Sequence, residues 1–272
     1  MTAYPAFSSS ALVIAHPAHE LRVLGWMGRA RPLVSVLTSG SRSGDGRRRL
    51  ERTAELVAAA GARRGALFGA VLDRDLYHAV MSAETDRFEL WIETLARDFV
   101  RHKVELVVAD GWQGYSAAHD LTHLMARLAA VRAARLLGRP VRVVEYVVAP
   151  LALTPLCAEP KRAFDIRLDA AEMAAKAAAV IDYPDIAEET AEIGLLEGEE
   201  RAALERFFVP APLGVLLRPR EQLAHYERIG EQRVADGVYG AVLREAHLAA
   251  VIRALIAMSA EAAPAAAGMG LA

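Results

Sequence analysis

Ala11-Leu12-Val13-Ile14-Ala15-His16-Pro17-Ala18-His19-Glu20 decides how the rest of the chain reads. Residues 11–15 are apolar and make a short buried strand, and His16, His19 and Glu20 crowd the turn that ends it. In an open α/β sheet, ligands and chemistry gather just beyond the carboxyl ends of the strands. Two imidazoles and a carboxylate delivered to such a place form a candidate metal site. A single histidine at a strand end is ordinarily a hydrogen-bonded structural residue, so the clustering carries the argument. Pro17 fixes φ near about −65° and suits the first turn of a helix starting there.

Working outward, Leu33 to Thr38 reads as a second strand, and Leu21, Leu24 and Met27 recur at helical spacing between the two. That is a β-α-β unit, for which a right-handed crossover and a parallel sheet are the default. The glycine-containing loop from Ser39 to Gly46 lacks the Lys-Ser/Thr of a phosphate loop and the spacing of a dinucleotide fingerprint. A helix follows over 47–60, with Leu50, Ala54 and Val57 on one face and Gly61 as its stop. Residues 67–72 read as a third strand leading into Asp73, and 84–102 as a long amphipathic helix. Its Phe88, Trp91, Ile92, Leu95 and Phe99 are most simply core.

The fourth strand, 104–109, ends at Asp110, and a loop punctuated by Gly111 and Gly114 runs into a helix over 120–137. This places His119 and His123 four residues apart, so four of the eight histidines fall at two strand ends. A fifth strand over 141–148 carries Glu145 and Tyr146 in an otherwise apolar run, where they must meet partners or face a site. After Pro150 the texture is Ala-rich and helical: 168–181, an acidic stretch over 188–208, and 222–256 with breaks at Gly230, Gly237 and Gly240.

The expected architecture is therefore α/β and Rossmann-like, a mostly parallel sheet with helices on both faces plus an α-rich C-terminal portion. Residues 1–150 would form the core with the site, and 151–272 would pack on it, with a frayed tail of about ten residues. The chain has 272 residues, 54% hydrophobic and 24% charged, and no apolar run long enough for a membrane span. A net charge of −2 gives no global field favouring nucleic acid. Cys157, the single cysteine, excludes a disulfide framework and a Cys-rich metal site. It fits a reducing cytoplasm, and residues 1–10 show no secretory signal.

With the histidine loops in place, the chain resembles the PIG-L/LmbE-like family of metal-dependent N-acetylglucosamine deacetylases. The resemblance rests on Ala15-His16-Pro17 with Glu20, Thr38-Ser39-Gly40, Arg52-Thr53-Ala54-Glu55, and Gly114-Tyr115 with His119, and it covers about residues 10–150. The segment from Leu168 to Tyr183, with Lys176, is also similar. It implies that His16, His19 and His119 hold a divalent metal, His19 standing where the family has a ligand carboxylate. Three imidazoles suit zinc with water in the fourth position, and they also suit iron, cobalt or nickel. His123 would be a reserve ligand or a supporting group.

Two departures bear on the chemistry. Ala18 stands where the family has the Asp that serves as general base, and Ser116 where a loop histidine steadies the oxyanion. Either loss would typically cost about 10²–10⁴ in rate. Asp110 and Glu20 are the candidate substitutes for the base, while Arg52, Tyr115 and Tyr146 would line a polar substrate pocket. For Arg52, an ion pair with Glu55 is an equal alternative. The implied activity is hydrolysis of an N-acyl amino sugar, glycoconjugate or related amide, in a protein that could self-associate. The alternatives are a repurposed metalloenzyme running iron-dependent redox or lyase chemistry, and a non-catalytic sugar- or partner-binding relative.

Overall fold

The computed structural model describes residues 8–40, 46–149, 161–183, 186, 203–218 and 222–261. Cys157, most of the acidic stretch from 188, and the C-terminal tail lie outside them. Five parallel strands form most of the sheet: β1 (Ser10–Ile14), β2 (Leu33–Thr38), β3 (Arg63–Val71), β4 (Leu106–Asp110) and β5 (Arg142–Tyr146). Two more, β6 (Lys161–Arg167) and β7 (Leu204–Val209), pair antiparallel and extend it beyond β5. The spatial order is β3-β2-β1-β4-β5-β7-β6.

The order turns back at β1, which pairs with β2 on one side and β4 on the other. Connections leave the carboxyl ends of β1 and β4 in opposite directions there and open a crevice, the usual ligand position in such sheets. The quoted stretch thus ends at the one place in the sheet where topology makes room.

Period-two alternation sorts the strand residues between two cores. Ala11 and Val13 face a layer made by α3 (Asp73–Met81), α4 (Thr85–Arg101) and α5 (Ala117–Leu137). Leu12 and Ile14 face the opposite layer, with Trp26 and Met27 of α1 (Leu24–Ala30) and Leu56 and Val57 of α2 (Arg47–Ala59). The aromatic stripe of α4 is core as expected, with Phe88, Ile92 and Phe99 fully buried. α6 (Ala170–Ile181) joins the second layer, while α8 (Glu245–Glu261), which follows α7 (His225–Ala235), packs on α3, α4 and α5.

The C-terminal half departs from the helical expectation at β6 and β7. Residues 204–209 are a strand rather than the end of a helix, because Glu205, Phe207 and Phe208 are drawn inward while Arg206 stays exposed. Glu205 fixes this register: its Oε1 accepts from Gly25 N at 2.9 Å and Lys176 Nζ at 2.9 Å, and its Oε2 from Trp26 N at 2.7 Å. A carboxylate on β7 thus satisfies the free N–H groups opening α1. Among the described residues, no helix is long and apolar enough to cross a membrane.

Candidate functional site

β1 ends at Ile14, and the chain turns through Ala18, whose φ of 81° lies in the left-handed region, into a 3-10 helix over His19–Val23. His16 and His19 are thereby folded toward each other across one turn. His119 arrives from the first turn of α5, whose N-terminus is capped by Ser116 accepting from Ala118 N at 3.2 Å. The loop before it is pinned: Asp120 Oδ1 accepts from Gln113 N and Gly114 N, both at 3.1 Å. Gln113 Nε2 in turn donates to Ala149 O at 2.8 Å.

The three rings meet. Their centroids lie 5.2 Å apart for His16 and His19, 5.0 Å for His16 and His119, and 4.6 Å for His19 and His119. Two are gripped from behind. Thr38 Oγ1, which donates to Ala15 O, lies 2.7 Å from His16 Nδ1 and so accepts from it. Asp73 Oδ1 is 3.1 Å from the same nitrogen, at ion-pair distance. His19 Nδ1 donates to Asp110 Oδ2 at 2.9 Å. With Nδ1 committed in both rings, Nε2 is the nitrogen each presents to a ligand. His119 Nδ1 is buried without a partner.

Burial pushes the His119 imidazole well below its ordinary pKa, and its two histidine neighbours add to this. Burial also lowers His19, against the pull of Asp110. His16 is raised, because Asp73 outweighs its burial. Among the described residues, no group of three or more His, Cys, Asp or Glu side chains is arranged so that it could hold a metal ion as it stands.

Asp110 is completely buried and accepts from Ala15 N at 2.8 Å, His19 Nδ1 at 2.9 Å and Tyr146 OH at 2.6 Å. Burial alone would raise its pKa, but the adjacent imidazoles and these donors hold it well below the carboxylate range. Tyr146 is spent on Asp110, and burial beside that charge drives its phenol well above 10.0. Glu20 is equally buried and accepts from Thr53 Oγ1 at 2.8 Å, its Oε2 without a hydrogen bond. Burial pushes its carboxyl up to about 7.

His123 lies one turn behind His119, with Nδ1 2.8 Å from Asp110 O and 3.4 Å from Glu145 Oε2. Burial drives it down to about 3. Arg52 pairs with Glu55 at 2.9 Å and reaches Asp182 at 3.8 Å. Tyr115 does stand at the cluster, its ring 5.7 Å from His119.

Three neighbours of the site escape a sequence reading. Asp73 follows β3 at the same sheet edge, and its place after a strand was its only signal. His225 opens α7 and stacks on Tyr115 at 4.5 Å, bringing the C-terminal half to the site. Arg22 shares the 3-10 helix with His19. Two surface cavities, of about 390 Å³ beside Arg47 and Phe68 and about 240 Å³ beside Trp112 and Leu216, include none of the three histidines among their described linings.

The sheet order and the crevice at β1 and β4 define a Rossmann-like α/β fold, and that fold is similar to the fold of solved deacetylases. Among solved structures, a triple mutant of the deacetylase Orf2 of the teicoplanin biosynthetic pathway is similar at 15% identity. It covers 74% of this chain and 97% of that one with a TM-score of 0.50. The conserved protein TT1542 from Thermus thermophilus is similar at 21% identity over 75% and 95% of the two chains, with a TM-score of 0.48. A zinc-inhibited form of teicoplanin deacetylase Orf2 gives 15% identity over 84% and 94%, with a TM-score of 0.44. No family model matches the chain, and no curated protein matches it by sequence.

Proposed function

We propose that the chain is a metal-dependent hydrolase that cleaves the amide of an N-acyl amino sugar or a related N-acyl compound, with His16, His19 and His119 holding the metal. One observation carries the reading: three imidazoles converge at the β1–β4 crevice, two of them held through Nδ1 by polar groups behind. Imidazoles bound to one zinc-sized ion at about 2.0–2.1 Å would have ring centres roughly 4.5–5.3 Å apart, the range between octahedral and tetrahedral angles. The spacing of 4.6 to 5.2 Å fits. So does the buried, unpartnered Nδ1 of His119, a nitrogen without a bond to give up.

A divalent ion bound there, zinc foremost, would supply Lewis-acid polarisation of the amide carbonyl and an activated water. The chain's own residues do the rest. Asp73 with Thr38, and Asp110, fix the tautomer and direction of His16 and His19. Tyr115 lines the approach beside His119. Asp110 is assigned to holding His19 rather than to taking a proton, since three donors engage it. Glu20 has the free oxygen and a pKa near neutrality, yet it faces Thr53. Neither carboxylate is placed as an open base, and slow hydrolysis follows.

The test is amine release from a panel of N-acetylated amino sugars by zinc-loaded protein. Slow turnover is expected, with a loss of about 10³ or more in His119→Ala. Turnover unaffected by that substitution would reject the assignment.

A further inference from the structure

We propose that Arg22 is a specificity-determining residue of this site, and that its guanidinium receives an anionic group, carboxylate or phosphate, carried by the N-acyl substrate beside the scissile amide. The inference rests on the reading of the site as an amide hydrolase.

The local backbone sets up the arrangement. His19, Glu20, Leu21, Arg22 and Val23 form a 3-10 helix, in which residues three apart eclipse one another. His19 and Arg22 therefore share a face, while Glu20 and Leu21 turn into the protein and are fully buried. Lys176 Nζ holds the Arg22 carbonyl at 3.0 Å, which anchors the end of this turn to α6. On the shared face, the guanidinium interacts electrostatically with His19, His119, Tyr115, Tyr146 and Asp110. All five belong to the site described above.

What is missing is a partner. Nη2 of Arg22 is buried and makes no hydrogen bond. Among the described residues, no carboxylate pairs with the guanidinium. Arginine carries five N–H donors in a fixed fork and stays charged, so burying it unpaired is costly. Asp110 does not answer it, being occupied by Ala15, His19 and Tyr146. Asp73 lies against His16 and Asp110 against His19, so the carboxylates at the cluster are already engaged, and a divalent ion bound there would add positive charge beside the guanidinium. A planar, forked cation at the rim of such a site is suited to bidentate capture of a carboxylate or phosphate.

The experiment measures binding rather than turnover, so it can fail independently of the hydrolase reading. Calorimetric titrations would use wild type, Arg22→Gln and Arg22→Lys, each with and without zinc. The probes are N-acetylglucosamine, its 1-phosphate and its 3-O-lactyl ether (N-acetylmuramic acid), whose anionic groups flank the N-acetyl group. Wild type should bind at least one anionic probe about tenfold or more tightly than the neutral sugar, as a charge-assisted bidentate contact supplies. The preference should fall to within about twofold in Arg22→Gln and return in part in Arg22→Lys. Which anion wins identifies the group. Without ligand, Arg22→Gln should also melt at the same temperature as wild type or about 2–5 °C higher, since an unpaired buried charge has been removed. Equal affinity for neutral and anionic probes in wild type, a preference that survives in Arg22→Gln, or no binding of any probe would each overturn the proposal.

Discussion

Ala18 sits at the hinge between His16 and His19 with φ at 81°, a conformation that costs a Cβ-bearing residue and that Asp or Asn tolerates better. It is also only partly buried, at the margin of the core that holds Trp26 and Leu56. Ala18→Asp should therefore be neutral or slightly stabilising, and should raise the hydrolysis rate by about 10²–10³ by supplying a proton acceptor. Steady-state kinetics beside a thermal melt reads both. Glu145 offers a second test, because burial lifts its carboxyl to about 7 from the ordinary 4.5. Between those pH values the folded chain keeps a proton that the unfolded chain has released, so this group's contribution to stability falls as pH rises from 4.5 to 7. Glu145→Gln removes that loss. Its unfolding free energy from urea titration should match wild type near pH 5 and exceed it at pH 8, by an amount on the order of 2–3 kcal/mol. The same difference at both pH values would contradict the assignment. At this scale the histidines were legible because they cluster in sequence, whereas Asp73 and His225 reach them from other segments, and nothing local marks either.

Elements of the first half followed their periodicity closely, since strands buried on both faces and helices buried on one leave distinct patterns. β3 departs, beginning at Arg63 rather than 67, because as the sheet edge it keeps Arg63 and Arg64 exposed and loses the apolar run. The nine-residue α3 that follows had no expectation in the sequence reading. β6 and β7 were illegible for a related reason. Charged residues interrupt both, and two of them are buried, Asp165 against Arg162 of its own strand and Glu205 against the remote Lys176. Glu205 is where this matters most, since it holds Lys176 and the first N–H groups of α1 together. Glu205→Ala leaves a buried ammonium unpaired and should cost about 3–5 kcal/mol in urea unfolding, with Glu205→Gln intermediate. A loss below about 1 kcal/mol would show that β7 is not anchored through this carboxylate.

For the whole molecule, the sheet order decides where chemistry can sit. β1 and β4 are neighbours although 91 residues separate His19 from Asp110, and their carboxyl ends open the crevice at which His16, His19 and His119 meet. The C-terminal half closes on the same place through His225 and braces it through Glu205. The most direct measurement of the central claim is elemental analysis of wild type and His19→Ala, after expression without added metal and again after reconstitution at neutral pH. About one equivalent of a divalent metal is expected in wild type and almost none in His19→Ala, with Asp110→Asn weakened about 10–100-fold in affinity. No metal in wild type after reconstitution, or equal metal in His19→Ala, would contradict a three-histidine centre.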